Sequence, residues 1–195
     1  FALAGAAFFH ASRYRRIVLA ADERLDGQFM MHPWGTNSAT DHLFDDGRTR
    51  IATDGDDIAR IEKLRYLRSS EEALESLAFC WNRQLQPRNC GVCVKCLRTK
   101  LLFLADSGTV PPIFLDENVP EDWLSAFRYN KPPGLLAVSE IFDGAARNGT
   151  QSAIPGYQAK YDEVFQYYTR QRARKQLLRS VRPKNVVRYI RKRFF

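Results

Sequence analysis

No apolar run in this 195-residue sequence approaches the about eighteen residues needed to cross a bilayer as a helix, and the apolar opening lacks the basic leader of a secretory signal. A soluble, cytoplasmic chain is expected. Internal repeats and low-complexity blocks are also missing. An apolar content of 45% with 12% aromatics excludes wholesale disorder, and a chain of this length can bury one good core. Cysteine is absent outside residues 80–96, and acidic residues are absent from Arg170 to the end. These last two gaps say where the chemistry and the charge are concentrated.

All four cysteines fall in one stretch. Cys90, Cys93 and Cys96 lie within seven residues, so a tight turn aims three sulfurs at a common centre and Cys80 completes a tetrahedral set. Gly91 can take the positive φ that turns backbone N–H groups toward sulfur, while Lys95, Arg98 and Lys100 add cations nearby. In a reducing, cytoplasmic setting this pattern reads as metal ligands rather than free thiols or disulfides, since disulfides between such close neighbours would be strained. An iron–sulfur run of the ferredoxin type needs a further cysteine three residues on and then proline, where this chain has Leu97-Arg98-Thr99. Zinc is therefore favoured. With four protein ligands and no open position, Cys80, Cys90, Cys93 and Cys96 form a structural site that staples a loop.

The net charge of +8 is uneven. Eleven of the 30 Lys and Arg lie from Arg170 onward, which leaves 19 against 22 acids in the first 169 residues, a net of −3. Residues 170–195 thus form a basic tail that also carries Tyr189, Phe194 and Phe195. Such a tail is either a solvated face or the contact for an anionic surface, nucleic acid or membrane.

Residues 1–14 read as an apolar helix, and because the chain starts inside that segment, upstream residues of a larger protein are expected. Residues 17–21 read as a buried strand and 50–53 as a second; residues 76–81 are strand-like and would carry Cys80 to the cysteine loop at a strand end. Between the first two strands lies a long irregular segment with the polar cluster Gly35-Thr36-Asn37-Ser38-Ala39-Thr40-Asp41-His42, and long irregular segments in compact domains are usually functional. Asp54-Gly55 marks a turn. Asp56 and Asp57 stand where acids favour a helix start, before Ile58, Ile61, Leu64 and Leu67. Leu97, Leu101, Leu102 and Leu104 predict a helix ending near Gly108; beyond Pro111-Pro112, helical stretches are separated by Pro132-Pro133-Gly134 and Asn148-Gly149. A long helix over 156–180 follows, with Pro183 breaking it before a last one. The organisation expected is an α/β domain with a short parallel sheet at 1–109, a helical extension at 110–169 and a basic helical tail at 170–195.

Three segments in this order resemble the C-terminal half of the PP-loop ATP pyrophosphatase family. They are Pro33-Trp34-Gly35-Thr36-Asn37-Ser38-Ala39-Thr40-Asp41, then Ile58-Ala59-Arg60-Ile61-Glu62-Lys63, then Phe79-Cys80-Trp81-Asn82 leading into Asn89-Cys90-Gly91-Val92-Cys93-Val94-Lys95-Cys96-Leu97-Arg98. The similarity, over roughly residues 1–105, is to 7-cyano-7-deazaguanine synthase and to relatives encoded with bacterial surface-polysaccharide genes. It implies an adenine nucleotide alpha-hydrolase-like (HUP-like) parallel sheet, with the four cysteines on the synthase's zinc ligands. Arg98 follows the last cysteine one residue sooner than in the synthase, so no role is carried onto it. The family's Ser-Gly-Gly-x-Asp-Ser loop, which holds ATP pyrophosphate on backbone amides, has no counterpart here. ATP and Mg2+ are accordingly expected only with the complete protein.

The resemblance implies an AMP-forming enzyme, a ligase or amidotransferase in type, in which a small-molecule carboxylate attacks the α-phosphate of ATP and a nucleophile then displaces AMP. Asp41 could orient an amine or a metal, His32 and His42 flank the same polar loop and could relay protons, and Lys63 matches a lysine of the family and could meet phosphate. Each has a plainer alternative as a turn, surface or helix residue.

Overall fold

The apolar runs near residues 17 and 51 form the two strands β1 (Arg16–Ala20) and β2 (Arg50–Asp54), paired in parallel with Ile17 opposite Ile51 and Ala20 opposite Asp54. This is a computed structural model, and it describes residues 2–30, 38–85 and 88–180. At the coarse level the chain is a mixed α/β protein with a small two-stranded parallel sheet. Its contacts divide it into two units, Phe1–Pro155 and Gly156–Phe195, so residues 110–155 belong with the first.

In the first unit α1 (Ala2–Phe8) precedes β1, α2 (Leu25–Met30) follows it, and α3 (Arg60–Arg68) and α4 (Glu71–Glu75) follow β2. The core is helical. α5 (Val94–Ser107) buries Leu97, Leu101, Leu102, Phe103, Leu104 and Ala105, and packs against α3 and α6 (Pro132–Asn148). α6 buries Val138, Ile141 and Phe142, and Phe142 meets the fully buried Trp123 at 5.9 Å between ring centroids. Gly144 permits the close approach of α6 to α3, because a Cβ there would lie 2.4 Å from Ile61 Cδ1. Helix α5 ends at Gly108, whose left-handed conformation (φ 76°) closes the last turn.

Three local readings are corrected. Residues 76–81 form no strand; after Ser76 the backbone runs irregularly through Cys80, and its polar groups are met by a side chain described below. Asp56 and Asp57 lie outside α3, which starts at Arg60 with Glu62 Oε2 accepting from the Ala59 amide at 2.9 Å. Pro132 and Pro133 open α6 instead of interrupting helices, since proline lacks only an N–H that the first turn leaves unbonded. The sheet is also less covered than a parallel sheet normally is: β1 alternates exposed and half-buried residues, and Val18 is 50% exposed.

The second unit contains α7 (Tyr157–Ser180), the long helix expected from the sequence. The helix expected beyond Pro183 lies outside the described residues. No helix among the described residues is long and apolar enough to cross a membrane.

Candidate metal centre

Four sulfurs converge where an irregular segment, a glycine turn and a helix start meet. Cys80 and Cys96 are buried, Cys90 and Cys93 half-buried. The sulfur separations are 4.0 Å for Cys80–Cys93, 3.8 Å for Cys90–Cys96 and 3.4 Å for Cys93–Cys96, and all four atoms lie within 4.8 Å of one another. Tetrahedral zinc with bonds of about 2.3 Å holds its sulfurs about 3.8 Å apart, near the separations seen here. The four cysteines can hold a metal ion.

The backbone prepares the site. Gly91 has φ 82°, and a Cβ on it would fall 2.0 Å from the Asp116 carbonyl oxygen, so only glycine lets the turn pass so near residue 116. The Cys93 amide donates to Cys90 Sγ and the Asn82 amide to Cys80 Sγ, each at 3.4 Å. Cys93 is the residue before α5 and Cys96 lies in its first turn, where the helix dipole favours a thiolate. Burial pushes the Cys96 thiol up, the Gly91 amide pulls it down, and the sulfurs of Cys93 and Cys90 raise it further. A divalent cation reverses that balance, since a coordinating thiol is deprotonated outright.

Sequence reasoning gave no role to Asn89, which is 1% exposed and ties the two halves of the site together. Its Oδ1 accepts from the amides of Phe79 (3.1 Å) and Cys80 (3.2 Å), and its Nδ2 donates to the carbonyls of Leu77 (2.7 Å) and Ile113 (3.2 Å). All its hydrogen-bonding capacity is used, and residues 77–80 are docked without a strand. Position alone could have hinted at this, because Asn89 abuts the first close-set cysteine.

The cations near the cysteines also have partners of their own. Lys95 Nζ stands 5.5 Å from the Trp81 ring centroid. Arg98 bridges Glu23 and Glu140, at 3.0 Å to each. Lys100, 1% exposed, donates to the carbonyls of Asp116 and Asn118, thereby anchoring the segment that Gly91 touches. Burial pulls the Lys100 ammonium down, against the pull of Asp116 and the Cys96 and Cys90 sulfurs.

The candidate catalytic residues sit elsewhere. Asp41, 4% exposed, opens a 3-10 turn, and its Oδ2 accepts from Thr53 Oγ1 of β2 at 2.7 Å. Lys63 donates from Nζ to the Ala21 carbonyl at 2.8 Å and lies against Gly55. Both therefore reach the carboxyl ends of the parallel strands, the side on which open α/β sheets bind ligands. His42 is exposed on the same 3-10 turn, and His32 lies outside the described residues.

A partly buried charge network, with only Glu23 buried outright, gave no sign of itself in the sequence. Arg60 pairs with Asp22 (2.5 Å) and Glu23 (2.9 Å), while Arg98 links Glu23 to Glu140, joining the loop after β1 to α3, α5 and α6. A cleft of about 150 Å³ opens beside it, lined by Glu23, Arg60, Leu136, Glu140 and Arg147 among others. No regular spacing announces partners so far apart in sequence. No protein-family model, curated protein or solved structure matches this chain, so what is established of the site is its own geometry: four sulfurs placed to receive one metal ion.

Proposed function

We propose that the four cysteines hold a structural zinc ion, and that the unit they staple is the C-terminal part of a HUP-like, PP-loop ATP pyrophosphatase-type enzyme. The observation that carries this reading is the sulfur tetrad at zinc spacing in a parallel α/β setting. The partly uncovered β1 and the placement of Asp41 and Lys63 at the strand ends add support. In the reaction, a carboxylate oxygen of a small-molecule substrate attacks the α-phosphorus of ATP. The bond to the β-phosphate breaks, giving an acyl-adenylate and pyrophosphate, and an amine or ammonia then displaces AMP. Lys63 would stand near phosphate and Asp41 near the incoming amine. Zinc takes no part in these bonds, as its four ligands leave no open position. The ATP loop must come from residues outside this chain.

Two measurements test the proposal. Elemental analysis of chelator-free protein should find one zinc per chain, lost in Cys90→Ser and Cys96→Ser. The gene product extended upstream should contain a Ser-Gly-Gly-x-Asp-Ser loop and catalyse carboxylate-dependent ATP–pyrophosphate exchange, slowed by Lys63→Met and Asp41→Asn. A metal-free protein removes the staple, and an upstream region without that loop removes the enzyme.

A further inference from the structure

Helix α7 carries a feature that neither zinc nor ATP chemistry uses. Tyr157, Tyr161 and Phe165 recur every fourth residue, and their rings are nearly parallel: successive centroids lie 6.3 Å apart with interplanar angles of 9° and 11°. Tyr161 is 40% and Phe165 60% exposed, so the ladder faces solvent. Arg170, Arg172, Arg174 and Lys175 follow on the same helix, all exposed. At about 100° per residue, Arg172 falls between the directions of Tyr161 and Phe165, and Lys175 about 40° to one side. Arg172 and Lys175 therefore share the face of the rings, while Arg170 and Arg174 lie on the opposite one. Asp162, one of two acids near the ladder, is engaged by Gln158 at 3.0 Å.

That arrangement discriminates between anionic partners. A helix lying in a lipid interface segregates its apolar face from its charged one, and here insertion of the ladder would drag Arg172 into the apolar layer. A nucleic acid strand instead offers flat bases and phosphates side by side. Bases and phosphates alternate along the strand, so neighbouring rings and cations on one helix face can meet both at once. Base faces are accessible only when unpaired. We propose that α7 binds single-stranded nucleic acid, with Tyr161 and Phe165 stacking on bases and Arg172 and Lys175 meeting the adjacent phosphates.

The test uses the full chain and a fluorescein-labelled twelve-residue oligouridine, followed by anisotropy across a salt series. Tyr161→Ala with Phe165→Ala should weaken binding about tenfold or more while leaving the salt slope unchanged. Tyr161→Trp with Phe165→Trp should restore it, since indole also stacks, which separates lost stacking from lost helix. Arg172→Gln with Lys175→Gln should reduce the logarithmic salt slope by about 1.4, at about 0.7 per phosphate contact on a single strand. Zinc chelation should change nothing, so failure here and failure of the zinc reading are distinguishable. Absence of binding, equal affinity for a duplex with no dependence on the rings, or binding only to vesicles containing phosphatidylserine would each overturn the proposal.

Discussion

Substitution of Gly91 by alanine tests whether the cysteine turn is set by its fit against residue 116. Gly91 and Gly47 share nearly the same backbone, φ 82° and 81°, so alanine at either meets the same left-handed penalty of about 1–2 kcal/mol. Their surroundings differ. A Cβ at residue 47 has nothing within 4 Å, whereas at residue 91 it would lie 2.0 Å from the Asp116 oxygen and 2.8 Å from its carbonyl carbon. The neighbour is backbone, anchored by Lys100, and cannot rotate aside. Overpacking of this kind adds about 1–3 kcal/mol. Gly91→Ala should therefore cost about 2–5 kcal/mol against about 1–2 for Gly47→Ala. With a urea slope of about 2 kcal/mol per molar, the excess lowers the unfolding midpoint by about 0.5–1.5 M. Both variants should be unfolded in one buffered zinc concentration, because ligand binding itself shifts the midpoint. Equal midpoints for the two variants would refute the account of the turn.

Removal of zinc by a strong chelator should lower the melting temperature by about 10 °C or more and change Trp81 fluorescence, and Cys96→Ser should melt low with no further response to chelation. Gly144→Ala should destabilise by about 1–3 kcal/mol through contact with Ile61 Cδ1, and Ile61→Val, which removes that methyl, should recover part of the loss in a double-mutant cycle read by urea unfolding. The folded Lys100 ammonium titrates below its ordinary 10.5, so the folded state binds fewer protons than the unfolded one in that window and stability should rise with pH toward 10.5. Lys100→Met in the zinc-loaded protein should abolish that rise, as followed by unfolding midpoints across the alkaline range.

Much of the site was legible because its signal is local. Cysteine spacing is a property of neighbours, and it located all four sulfurs, while short runs bounded by charge or turn signals found β1 and β2, and the helices expected after Cys96 and over 156–180 match α5 and α7 with ends near those observed. Gly108 and Gly149, both left-handed, punctuate α5 and α6 as a sequence reader would place them. What stayed hidden depends on partners remote in sequence. The run at 76–81 has strand composition, but one buried amide side chain supplies its hydrogen bonds in place of a neighbouring strand. Arg98 and Lys100 sit beside the cysteines in sequence, yet their charges are claimed by Glu23, Glu140 and two main-chain carbonyls, none of which periodicity could have paired with them.

The Asn89 clip has a kinetic consequence. Because it fastens the lone upstream ligand through contacts that contain no sulfur, the recruitment of Cys80 does not wait for an ion to gather it from a wandering chain. An ion lost to a competing chelator should then leave Cys80 still tethered, so that reloading need not recapture it from a free chain.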